Sequence, residues 1–193
     1  MKWCALTVMV VVVTLAGCSD RDDSLTLSAD RLGPLQLSEQ TRISGPSLQA
    51  LFPALQVHYQ RAEGDSLAYH YYQLINQQGE VLFSLTSFIE SAADIQAEAV
   101  DIDLLQIHSA EIPDQYGIRV GEGIRSLVAK RDSKFRYGAA HHHNFIGGGK
   151  IWYSLSTQQL AATVDINPEQ VSLEQALEAD LKVTAISWPE AGW

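Results

Sequence analysis

LAYHYYQLINQQGEVLFSLTSF, residues 67–88, decides the fold. Residues 67–75 are rich in tyrosine and read as a strand, and residues 81–88 read as another. Between them Gln77-Gln78-Gly79-Glu80 is a turn, too short for anything but an antiparallel connection. Working outward, residues 55–61 alternate as a strand and reach residue 67 through a turn at Glu63-Gly64-Asp65. Residues 102–108 supply a fourth strand. Ser44-Gly45-Pro46 starts a helix with proline in its first turn. Leu48, Leu51 and Phe52 follow at helical spacing until Pro53 stops it.

The second half repeats this mixture. Residues 121–130 read as a short helix with Ile124, Leu127 and Val128 on one face. Residues 135–137, 151–155 and 159–164 read as strands. Asn167-Pro168-Glu169-Gln170 has the form of a helix start, and Leu173, Ala176, Leu177 and Leu181 form the stripe behind it. Residues 182–188 close the chain as a strand, ended by Pro189. Strands in runs joined by tight turns predict an α+β fold. Its antiparallel sheet would have about six to eight strands, with two or three short helices on one face.

The chain has 193 residues, 13 basic and 23 acidic, for a net charge of −10. That surface repels nucleic acid and anionic lipid headgroups, which excludes both as expected partners. Its length suits one domain plus a tether.

The first residues carry an address. Lys2 precedes an apolar run over residues 5–15, followed by Leu15-Ala16-Gly17-Cys18. The run is too short to span a bilayer, which takes about 20 residues, and the pattern is that of a secretory signal. Ending on cysteine, it closely resembles the lipobox of bacterial lipoproteins. The resemblance implies cleavage before Cys18 and acylation of that residue, so membrane contact would run through the lipid. Ser19 follows Cys18, and the aspartate comes one place later at Asp20. By that resemblance the periplasmic face of the outer membrane is the expected location. With Cys4 removed and Cys18 lipidated, neither of the two cysteines is left for a disulfide, a thiolate metal site or a nucleophile.

The expected organisation is therefore a signal over residues 1–17, an acylated tether over 18–36 and a single α+β domain over 37–193. The polar, acidic composition around Asp20, Arg21, Asp22 and Asp23 suits a solvated tether.

A central signature follows: Ile107-His108-Ser109-Ala110-Glu111-Ile112-Pro113, then Tyr116-Gly117-Ile118-Arg119-Val120-Gly121, then Ile124 and Leu127. It resembles the uncharacterised sigma-E-regulated family of small envelope lipoproteins. That family has no assigned activity, so the resemblance implies location and fold and no active-site residues. Physically, Gly117 permits a turn with positive φ and Gly121 a close entry into the helix. Ile118 and Val120, flanking Arg119, suit a strand with one buried face. The functional alternative is a binding lip containing Pro113, Tyr116 and Arg119.

His141-His142-His143 is the sharpest chemical feature. Imidazole ligates zinc, copper and nickel, and in an extended segment His141 and His143 point the same way. A closed site would need a further ligand, such as His58, His70, His108 or a carboxylate. The run lies before Gly147-Gly148-Gly149 and reads as a mobile loop. That glycine run lacks the lysine and hydroxyl residue of a phosphate loop. No G-x-S-x-G elbow and no H-E-x-x-H helix occurs. Asp101 and Asp103 share a strand face and mark a solvated strand end. Tyr69, Tyr71 and Tyr72 form an aromatic patch beside His70, suited to a half-buried sheet.

The expected function is non-enzymatic, as a binding or envelope-maintenance module with an envelope protein partner or small ligand and no cofactor. The alternatives are metal binding through His141, His142 and His143, and an envelope hydrolase. The hydrolase would show Asp101, Asp103 or a histidine within reach of a reactive group.

Overall fold

The computed structural model describes residues 25–64, 67–132, 134–140, 143–165 and 167–189. A small hairpin, β1 (Arg31–Leu32) and β2 (Leu35–Gln36), opens it, followed by helix α1 (Gly45–Leu51). Four strands then run in sequence: β3 (Gln56–Glu63), β4 (Ala68–Ile75), β5 (Val81–Phe88) and β6 (Leu104–Ile107). After α2 (Ile124–Arg131) come β7 (Arg136–Ala140), β8 (His143–Gly148) and β9 (Ile151–Leu155). Helices α3 (Thr157–Val164) and α4 (Leu173–Glu178) lead to β10 (Val183–Trp188).

The eight long strands form one antiparallel sheet in the order β3-β4-β5-β6-β10-β9-β8-β7. It is two four-stranded meanders joined where β6 meets β10, with Leu105 opposite Trp188 and Ile107 opposite Ile186. The α+β class and the antiparallel sheet are as the turns and strand runs predict.

Register sorts the faces. Tyr72, Leu85 and Leu105 are successive cross-strand partners, as are Leu74, Phe83, Ile107, Ile186, Tyr153 and Ile146. All belong to a single core cluster with Leu48 of α1, Ile124 and Leu127 of α2, Ala161 of α3 and Ala176 of α4. The four helices therefore cover the same face. Phe52, at the end of α1, meets Phe83 edge to face at 5.2 Å. The side chains of Ser44 and Ser47 cap each other's backbone N–H groups, which starts α1 with Pro46 in its first turn.

Several expectations need correction. Residues 25–36 are not tether, because Leu27, Leu32 and Leu35 are at most 2% exposed and belong to the core. Leu27 also pairs with Asp114 and Leu32. The domain thus begins about ten residues earlier than composition suggested, since isolated leucines in a polar run leave no periodicity to read.

Residues 159–164 belong to helix α3 rather than to a strand. Thr157 and Ala161, one helical turn apart, are each 1% exposed, and glutamine, leucine and alanine all favour helix. Residues 143–148 form strand β8 rather than a loop. A Cβ on Gly147 would lie 2.7 Å from the Ile151 carbonyl oxygen and from Cα of Trp152, so this glycine marks a close approach. Gly149, at φ 66°, turns the chain between β8 and β9.

Residues 118–120 form no strand. The capping box at Asn167 closes only the 3-10 turn Pro168–Gln170, and α4 starts afresh from Ser172.

Candidate functional site

On the face opposite the core, one residue from each strand falls into a continuous row: His58, Gln73, Ser84, Gln106, Ser187, Trp152, Gly147 and Arg136. At roughly 4.8 Å per strand the row is about 33 Å long. Gln60, Tyr71, Thr86 and Leu104 make a parallel row. No carboxylate occurs in either. Trp152, Phe145 and Ala185 are buried yet stand outside the core cluster, and Ser84 and Ser187 of the row are buried too, so the row reaches solvent mainly through His58, Gln73, Gln106 and Arg136. The Arg136 guanidinium lies 5.2 Å from the Trp152 ring centre, a cation–π contact.

Within this row Ser84 Oγ is 2.8 Å from Nε2 of His108. Burial pushes the His108 imidazole below its usual pKa, which favours the neutral ring. The pair can exchange a proton, and here a histidine does sit within hydrogen-bond reach of a hydroxyl. Among the described residues no carboxylate orients the other ring nitrogen. Ser84 is flanked by paired strands on both sides, so the surrounding backbone amides are engaged in the ladders rather than aimed at a developing oxyanion.

A second polar cluster lies on the core side. Asp114 Oδ1 accepts from the backbone N–H groups of Tyr116 and Ile118, at 2.9 and 2.8 Å. Its Oδ2 accepts a short hydrogen bond from the Tyr153 hydroxyl. Burial raises the Asp114 carboxyl above the usual range despite these donors and nearby Arg131. Tyr153 is also pushed up, by burial and then by the Asp114 charge. Arg131, 5% exposed, donates to the Gly148 carbonyl at 2.9 Å and lies 4.2 Å over the Tyr116 ring. This cluster pins the segment after β6 onto β9.

The expected binding lip is part of the same bracing. The Pro113 carbonyl accepts from Leu27 N at 3.0 Å. Tyr116 is 40% exposed beneath Arg131. Arg119 Nη1 donates to the Ala110 and Glu111 carbonyls at 2.8 and 2.7 Å. Gly117 has φ 71°, the positive value its turn was expected to need. Gly121 makes no close approach; that role falls to Gly123, where a Cβ would collide with Asp180.

Cys18, His141 and His142 lie outside the described residues, and His143 opens β8. Their proposed lipidation and zinc, copper or nickel chemistry therefore gain no geometry. The other histidines are spread apart. His58 is exposed on the open face. His70 is buried on the core face, its ring nitrogens 3.0 Å from Tyr59 Oη and 2.8 Å from the Asp94 carbonyl. Among the described residues no group of three or more histidine, cysteine or acidic side chains converges to hold a metal.

Asp101 and Asp103 precede β6. Asp101 pairs with Arg42 at 3.3 Å, and Asp103 caps the Phe88 N–H at 2.7 Å. They share no site. A cleft of about 300 Å³ beside α3 includes Leu160, Thr163 and the paired Asp180 and Lys182.

The sequence reading missed Asp114, Arg131 and Tyr153, and the contact between Ser84 and His108. For Asp114 the signal was available: an aspartate two residues before Tyr116 and four before Ile118 can cap both amides. The partners Tyr153 and Arg131 left no such trace.

No family model matches the chain, and no curated protein does. Among solved structures it is similar to the crystal structure of the uncharacterized protein yfeY from Escherichia coli. The TM-score is 0.57 at 14% sequence identity, covering 86% of this chain and 99% of that one. The likeness establishes a shared fold.

Proposed function

We propose that the protein is a lipid-anchored module of the bacterial envelope, held at the periplasmic face of the outer membrane through Cys18, that binds its partner without transforming it. The observation that carries the binding reading is the carboxylate-free row of cross-strand partners opposite the core, whose solvent-reaching members are the polar His58, Gln73, Gln106 and Arg136. The anchor reading rests on the Leu15-Ala16-Gly17-Cys18 pattern and the likeness of the central signature to sigma-E-regulated lipoproteins. With Leu27 already in the core, nine residue-to-residue steps lead to it from Cys18. At no more than about 3.6 Å each, they hold the domain within about 32 Å of the lipid.

Metabolic labelling with radioactive palmitate and membrane fractionation test the anchor. The wild type should take label and fractionate with the outer membrane, and Cys18→Ser should do neither. An unlabelled wild type overturns the anchor. Photocrosslinking in cells from position 73 tests the face, and a specific envelope adduct is expected.

The contact between Ser84 and His108 favours a second reading, hydrolysis with Ser84 as nucleophile. A fluorophosphonate probe distinguishes the two. Labelling of the wild type that Ser84→Ala abolishes makes the protein an enzyme; no labelling leaves the binding reading standing.

A further inference from the structure

We propose that the open face over β3–β6 is a docking surface for an uncharged glycan; this rests on the binding-module reading and names its ligand class. Tyr69, Tyr71 and Phe88 gather on this face. The Tyr69 ring centre is 6.1 Å from that of Tyr71 and 6.5 Å from that of Phe88, both edge to face. Phe88 is 42% exposed. Beside the rings stand Gln60 and Gln73, with Gln106 further along the row of Gln73.

Charge narrows the partner. The chain carries 23 acidic and 13 basic residues, yet the register positions on this face from β3 to β6 hold no aspartate, glutamate, lysine or arginine. A polyanion would find no cation cluster there, and a basic peptide would find only Asp103 at its margin, whose carboxylate already accepts from the Phe88 N–H. A hydrocarbon surface would strand the glutamine amides without partners, at a cost of about 1–3 kcal/mol each. A neutral sugar polymer meets both halves of the surface. Its C–H faces lie against aromatic rings, which combine apolar area with a polar tip, and its hydroxyls exchange hydrogen bonds with amides that both donate and accept. The surface is extended across strands rather than closed into a pocket, which suits a chain of sugars over a single one.

The test uses the full-length lipoprotein in neutral detergent. Binding of chitohexaose, maltohexaose and cellohexaose is measured by calorimetry, beside heparin and phosphatidylethanolamine–phosphatidylglycerol vesicles. At least one neutral hexasaccharide should bind. Tyr71→Ala and Gln73→Ala should each raise its Kd tenfold or more, while Tyr59→Phe, on the opposite face, should leave it unchanged. Unaltered melting of Gln73→Ala guards against a loss caused by unfolding. No binding of any neutral hexasaccharide, binding that the two face variants leave intact, or preference for heparin or vesicles overturns the proposal. A protein crosslinked from position 73 alongside absent glycan binding overturns the glycan while keeping the binding module. Absence of both overturns both.

Discussion

The hydroxyl of Tyr153 donates to Oδ2 of Asp114 across 39 residues of sequence, joining the loop after β6 to the middle of β9. Asp114 is 2% exposed and Tyr153 is fully buried. Neither has water to replace a lost partner. Tyr153→Phe should therefore destabilise the protein by about 1–3 kcal/mol, and Asp114→Ala, which also frees the Tyr116 and Ile118 amides, by more. Chemical denaturation of both variants checks the order; equal, negligible losses would refute the bracing role.

Two titratable groups, the half-buried His108 and the buried Asp114, tilt stability with pH in opposite directions. His108 has a lowered folded pKa, so below about 6.5 the unfolded chain takes up a proton that the folded one resists. Stability is lost as pH falls through that range, and His108→Gln should flatten this part of the profile. Asp114 has a raised folded pKa. Its contribution is lost as pH rises from about 3.9, the unfolded value, through the folded one, and Asp114→Asn should remove that slope. Urea melts at half-unit pH steps read both.

Gly147→Ala should be poorly tolerated. The new methyl would press on the Ile151 carbonyl and on Trp152, both within 2.8 Å, which in a packed site costs about 1–3 kcal/mol. Gly45→Ala, where a Cβ meets nothing within 4 Å, is the control. A thermal melt should show a clear drop for the first and little change for the second.

Truncation locates the start of the domain. A chain beginning at residue 25 should retain the stability of the full chain. One beginning at residue 37 loses Leu27, Leu32 and Leu35, each at most 2% exposed. A single buried leucine cut to alanine costs about 2–5 kcal/mol and whole domains hold only about 5–15, so that chain should be unfolded by circular dichroism.

Much of the fold was legible because its signals are local. The tyrosine-rich run of residues 67–75, the strand-like run of 81–88 and the glycine turn between them define β4 and β5, and the caps at Ser44 and Asn167 close hydrogen bonds within a few residues. Strand β8 was not legible, since its glycines answer to Trp152 on the neighbouring strand. Helix α3 was misread because a short mixed segment fits either period until packing selects one face. Of the candidate site, the histidine run was visible in sequence, whereas the contact between Ser84 and His108 required β5 and β6 to pair.

By itself the sequence determined the hairpins linking β3, β4 and β5, the cap of α1 and the antiparallel α+β class, because each follows from interactions between near neighbours along the chain. Only the tertiary structure decided that β6 joins β10, that the helices share one face, and that a carboxylate-free row is left on the other. Those outcomes depend on cross-strand register and burial between residues tens of positions apart, which no local pattern encodes.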